Sequence, residues 1–349
     1  MPLDDSFALT RRALAAAVVS AFLIGGAAWP AGAPSYSIRD LGTLGGTFGQ
    51  PLGINAAGHV VGNSNLAGDQ FYHAVLFTDG PPMGLGTFGG TLSTATAIND
   101  SGQIVGFAYT TDDQNVHAFL SSGGVMQDLG AFGTVGPLNS SALAINNTGQ
   151  IVGWAELRVG TAHAFLAVNG TMQDLGTLGG LNSQAIGINQ AGVICGQSET
   201  LGQSSAPAFL YRDGVMTALG TFGGAQSYAA AINDAGQVVG WADTTSARHA
   251  FLESDGRMQD LGTLGGATSR AHAINSAGQI VGAATPAGTK ATHAFLWENG
   301  VMKDLNPLIP AGSGWLLDEA YNINASGQII GTGFLQGAER PFLLTPVTP

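Results

Sequence analysis

The sequence is poor in charge, poorer in cations, and nearly free of cysteine. Only 10% of its 349 residues are charged, and 11 lysines and arginines face 23 aspartates and glutamates, for a net charge of −12. A sparse acidic surface excludes nucleic acid and anionic membranes as partners, because both demand basic patches. The single cysteine, Cys195, permits no internal disulfide, so packing alone has to hold the fold. It sits in the apolar run "GVICGQ" and reads as a buried, inert thiol. No stretch keeps a 3.6-residue apolar period for three turns, which argues against helices. One long apolar run exists, from Ala13 to Ala28 behind Arg11 and Arg12. At about 16 residues it suits an export leader better than a span of about 20. Residues 1–33 are therefore expected to be a signal peptide, with a small-residue cut site at Gly26-Ala27-Ala28. No second apolar run follows, so no membrane span is expected after its removal. The expected location is secreted or periplasmic.

What the chain has in abundance is one phrase. "AINDSGQIVG" begins at 97, "AINNTGQIVG" at 144, "AINDAGQVVG" at 231 and "AINSAGQIVG" at 273. Aligning on the asparagine gives Asn55, Asn99, Asn146, Asn189, Asn233, Asn275 and Asn324, with spacings of 44, 47, 43, 44, 42 and 49. Each unit breaks into four short apolar or alternating runs separated by turns such as "NDAG" and "ESDG". Those turns carry the Asn, Asp and Gly that tight hairpins favour. Four strands in 40 to 50 residues is the signature of a propeller blade. The fold expected for 34–349 is an all-β, seven-bladed β-propeller of four-stranded antiparallel blades. The stray strand "YSIRDLGTLGG" at 36 supplies the outer strand that the last unit lacks, so the N-terminal strand closes the ring.

"HAFL" recurs at 117, 163, 249 and 293, together with "DLGTLGG" and "INxxGQIVG". In these motifs the chain resembles the HAF-repeat family of probable bacterial extracellular repeat proteins, over residues 38 to 344. The closing "DLNPLIPAGSGW" also resembles that family's usual last repeat. The resemblance implies export and repetition, and it brings no activity or catalytic residues.

The histidines follow a rule. Eleven residues after His117, His163, His249 and His293 stand Asp128, Asp174, Asp260 and Asp304. In the fourth unit both partners vanish together, replaced by Pro207 and Ala218. His73 faces Gly84, and the seventh unit reads as Pro341 with Asp40 brought from the N-terminus. The hairpin turn lies midway, so each pair is expected to bridge two strands as a structural bond. Histidines one blade apart cannot share a metal, and no metal or cofactor is expected.

Function is expected where the copies differ. Five residues before each asparagine stand Gln50, Thr94, Ser141, Gln184, Tyr228, Arg270 and Glu319, and the residue before them is serine in five copies but Asp318 in the last. These positions are expected to line the channel mouth on the face of the fourth-to-first-strand connections. Ligand contacts are expected from Gln50, Gln184, Tyr228, Arg270, Glu319 and Asp318. His272 and Tyr321 replace small or aliphatic residues, and Trp315 offers a face for a sugar. Arg270, the one cation of the set, points to an anionic guest. The expected function is a monomeric, non-enzymatic binding or interaction scaffold for an extracellular glycan or protein ligand. The first alternative is a polysaccharide lyase or glycoside hydrolase, for which Tyr228, His272 and Arg270 have the residue types of base, proton donor and cation. The second is a structural surface or matrix repeat.

Overall fold

The computed structural model describes residues 35–133, 138–202 and 206–347; the expected leader over 1–33 lies outside them. After β1 (Tyr36–Asp40), the strands fall into seven blades. These are β2–β5 (45–86), β6–β9 (89–130), β10–β13 (140–174), β14–β17 (179–218), β18–β21 (227–260), β22–β25 (265–304) and β26–β28 (315–346). All seven sheets are antiparallel with four strands, and the last has the order β1-β28-β27-β26. Ile38 of β1 pairs with Leu344 and Asp40 with Phe342, so the N-terminal strand completes blade seven as expected.

The core is divided among the seams between blades. One cluster joins Val61 and Ala74 of blade one to Ala95 and Phe119 of blade two. Another joins Val281 and Leu296 of blade six to Leu317 and Phe342 of blade seven. The seam between blades seven and one is filled likewise by Ile330, Leu343, Ile54, Val75 and Phe77. A seam of this kind between last and first blades leaves no open end to the ring.

The recurring phrase has a reason at each letter. The seven asparagines are all buried and hydrogen-bond from blade to blade. Asn55 Nδ2 donates to the Asn99 carbonyl oxygen at 3.3 Å, Asn99 to that of Asn146 and Asn146 to that of Asn189, both at 3.1 Å. Asn189, Asn233 and Asn275 continue at 3.2, 3.2 and 3.1 Å. Asn324 returns to the Asn55 carbonyl at 3.1 Å, which makes the belt circular. Each Oδ1 accepts the backbone N–H four residues on, and where a glutamine stands there its Oε1 takes the second Nδ2 proton, as Gln237 does for Asn233 at 2.8 Å. The turn glycine has positive φ, +80° at Gly236. The last glycine answers to crowding. Opposite it the inner strand bulges, and a Cβ on Gly240 would fall onto the Tyr228 carbonyl oxygen, with the same collision at Gly282 and Arg270.

The HAF motif braces the outer half of blades two, three, five and six. His117 Nδ1 meets Asp128 at 2.8 Å, His163 meets Asp174 at 2.9 Å, His249 meets Asp260 at 2.8 Å, and His293 meets Asp304 at 2.7 Å. The pairing is diagonal, because Asp128 lies directly opposite Phe119. The aspartate also accepts the N–H two residues on, from Gly130, Gly176, Gly262 or Asn306, and so pins the exit towards the next blade. The alanine N–H of the motif donates to a serine of the next blade, whose hydroxyl donates back to the preceding outer strand's exit. Ala164 N reaches Ser183 Oγ at 2.8 Å, and Ser183 reaches the Gly176 carbonyl at 2.6 Å. The phenylalanines are among the largest fully buried side chains: Phe119, Phe165, Phe209, Phe251 and Phe295.

The closing seam shows a correction. Leu41 N donates to the Pro341 carbonyl at 3.0 Å, as Leu305 does to that of Ala294. Pro341 therefore occupies the alanine place of the motif, and Arg340 stands where the histidine would be. A proline offers no N–H. The serine that would receive it is also gone: Gly49 is there, and a Cβ on Gly49 would sit 3.3 Å from Pro341 Cγ.

Candidate functional site

The inner strand of every blade carries a β-bulge three residues before the asparagine. The register slips between Pro51 and Gly53, between Ala271 and Ala273, between Ala320 and Asn322, and at the same place in the four other blades. The extra residue leaves the ladder and re-aims its side chain. The seven bulged residues are Leu52, Thr96, Leu143, Ile186, Ala230, His272 and Tyr321, and all are half-exposed although fully buried alanines precede most of them. They form a collar inside the ring. Blades one to five give it aliphatic groups and one threonine. Blades six and seven give it an imidazole and a phenol.

Those two are tied together. His272 Nε2 meets Glu319 Oε1 at 2.8 Å, and the Tyr321 hydroxyl donates to Glu319 Oε2 at 3.2 Å. Tyr321 and Thr332 hydroxyls lie 3.3 Å apart, and the His272 and Tyr321 rings are 5.9 Å apart at 51°. The Glu319 side chain is only 10% exposed, against 25% for His272. Arg270 stands two residues before His272 and is the one Lys or Arg in the seven inner strands. Among the described residues no group of three or more metal-ligating side chains forms.

The other predicted site residues go to separate places. Tyr228 stacks flat on Trp241, with centroids 5.6 Å apart, and Arg248 covers Trp241 at 3.5 Å. Burial pushes the Tyr228 phenol up to about 12, with the Cys195 thiol adding to the shift. Tyr228 is half-buried, and its ring is taken up by this stack. Ser141, Thr94 and Glu319 are buried too, so their positions do not form a solvated rim. Gln50 and Gln184 are half-buried and lie across from Asn63 and Gln197. The serines one place earlier, Ser93, Ser140, Ser183, Ser227 and Ser269, are buried interblade staples and do not line the mouth.

Blade seven departs from its siblings here. A second bulge at Asp318 slides Leu317 into the serine's register. Asn306 then replaces the staple, accepting Leu317 N at 2.7 Å and donating to the Leu317 carbonyl at 3.0 Å. Asp318 accepts the Thr292 hydroxyl of blade six, while Glu319 turns to His272, so the two carboxylates diverge. Trp315, partly buried, packs edge-on against Phe342, 6.1 Å away, at the side of the last seam's core. The shelf expected beside the arc is therefore part of the packing. Sequence reasoning placed His272 and Tyr321 among the special residues but missed that Glu319 joins them. The signal available was their shared offset of three from the asparagine.

No family model and no curated protein matches the chain. Solved structures do. The propeller domain of the trilobed protease from Pyrococcus furiosus matches at 10% identity and TM-score 0.51, over 86% of this chain and 96% of that one. A prolyl endopeptidase matches at 12% identity and TM-score 0.53, over 73% of this chain and 42% of its own. TolB from Acinetobacter baumannii matches at 12% identity and TM-score 0.42, over 78% of this chain. The chain spans 60% of that TolB chain's length. At such identities the likeness shows the fold alone. The chain is a seven-bladed β-propeller.

Proposed function

We propose that the chain is an exported binding propeller of the HAF-repeat type, whose ligand site is the collar where blades six and seven meet. The observation that carries this reading is the exchange of aliphatic bulge residues for His272 and Tyr321, both bonded to Glu319. Neither the asparagine belt nor the blade seams need that exchange, since five blades close without it. A site with one polar, hydrogen-bonding side and one apolar side holds a guest in a set orientation. The guest is an anionic, hydroxyl-rich extracellular ligand, a uronate-bearing glycan being the first choice. Arg270 supplies the cation for its carboxylate, and the imidazole and phenol supply hydrogen bonds to hydroxyls.

Titration calorimetry of the mature protein with acidic oligosaccharides tests this. Arg270→Ala is expected to weaken binding by about tenfold or more. Binding that ignores both Arg270→Ala and Tyr321→Phe would move the site elsewhere on the ring.

A further inference from the structure

We infer that the same collar performs an elimination on the glycan it binds, with His272, oriented by Glu319, taking the proton next to the carboxylate of a 4-linked uronate. This rests on the binding reading above and adds a reaction to it.

The geometry of the imidazole carries the argument. Glu319 Oε1 meets His272 Nε2 at 2.8 Å, so the neutral ring carries its proton on Nε2 and leaves a lone pair on Nδ1. Nδ1 has no partner among the described residues. A nearly buried carboxylate behind a quarter-exposed imidazole is the arrangement that orients a base and stabilises the imidazolium it becomes. The four outer His–Asp pairs differ. There Nδ1 itself is bonded, and the aspartate also holds the turn that leaves the blade. Those pairs are braces, whereas His272 is bonded through Nε2 and is a quarter exposed. Arg270, on the same strand, would neutralise the uronate carboxylate, which makes the neighbouring C5 proton removable.

The step balances without an added reactant. His272 Nδ1 takes H5. The C5–H electron pair becomes the C4=C5 double bond as the C4–O4 bond breaks. The proton on Nδ1 then passes to the departing O4, leaving an unsaturated uronate on one fragment and a free hydroxyl on the other. One proton carrier acts on one face of the sugar, so H5 and O4 must share that face. They do in mannuronate and glucuronate, and they do not in guluronate or galacturonate.

The test uses the mature protein with oligomannuronate and oligoguluronate, reading ultraviolet absorbance of the new double bond and, separately, affinity by calorimetry. Oligomannuronate is expected to gain absorbance and oligoguluronate to stay silent. His272→Ala is expected to lower the rate at saturating oligomannuronate by about 10³-fold. Glu319→Gln keeps the hydrogen bond without the charge and is expected to lose about 10²-fold, which serves if the alanine variant does not fold. Oligomannuronate that binds without any rise in absorbance overturns the elimination and leaves the binding reading standing. Absence of binding overturns both. A rate that survives both substitutions also overturns the inference.

Discussion

Two rings of seven positions run along the same inner strands, three residues apart, and they have opposite characters. The belt is asparagine in every blade, and every member makes the same bonds to its neighbour. The collar changes from blade to blade, from Leu143 and Ala230 to His272 and Tyr321. A circular hydrogen-bond chain tolerates no odd member, because each amide serves both the blade before and the blade after it. A bulge requires only the backbone, so its side chain is left open to variation. Where repeats agree they build, and where they differ at an exposed inward position they are free to bind.

The most severe way to break the contrast is to open the ring. Deleting residues 34–42 removes β1, leaves the edge of β28 unpaired and uncovers the core around Tyr36 and Ile38. Loss of the cooperative melt, with aggregation in light scattering, is the expected outcome. Next in size is Gly240→Ala. The added methyl meets the Tyr228 carbonyl and neighbouring backbone, which cannot move aside as a side-chain tip can. A loss of about 3 kcal/mol or more in urea unfolding is expected. Asn233→Ala follows, at about 2 kcal/mol, since it removes the interblade bond to the Asn275 carbonyl and leaves the Gln237 Oε1 and the part-buried Gln237 N–H without their partner. In sharp distinction, Ile186→Ala in the collar should cost much less than the same belt substitution. If belt and collar prove equally sensitive, the division between building and binding rings is wrong.

The smallest effect belongs to the His–Asp braces. The aspartates are up to 43% exposed, so His117→Ala should cost about 1 kcal/mol or less. Its pH dependence is distinctive. The hydrogen bond from Asp128 raises the His117 pKa against the opposing effect of burial. That part of the stability is full below the unfolded histidine value of about 6.5 and is lost as pH rises through the folded one. Burial acts to raise Asp128, but bonds from His117 and Gly130 outweigh it and leave the carboxyl lowered. Its part is present above about pH 4 and is lost as pH falls through the folded value. The melting-temperature gap between wild type and His117→Ala should therefore peak between about pH 4 and 6.5. A gap independent of pH would mean that the pair contributes only packing.

The resemblance of the last blade to the others is where sequence reading went astray. An alignment by spacing put Pro341 on the histidine, since nothing in the chain marks a one-residue shift. The backbone bond from Leu41 places it on the alanine instead. The second bulge at Asp318 is equally silent in the sequence, because bulges are choices of pairing between strands and leave no required residue type on the bulged position.

The sequence by itself determined the number of blades, their four strands, the closing role of the first strand and the His–Asp pairing. Each of these rests on period and spacing, which repeats display openly because one physical solution is written many times. Tertiary structure decided which inward residues meet. Glu319, His272 and Tyr321 come from two blades and two offsets, and only the bulges and the closed ring bring them within hydrogen-bond reach. It also decided that Tyr228 and Trp315 would be absorbed into packing, since an aromatic ring beside a seam gains more by burial than by standing in a wet channel.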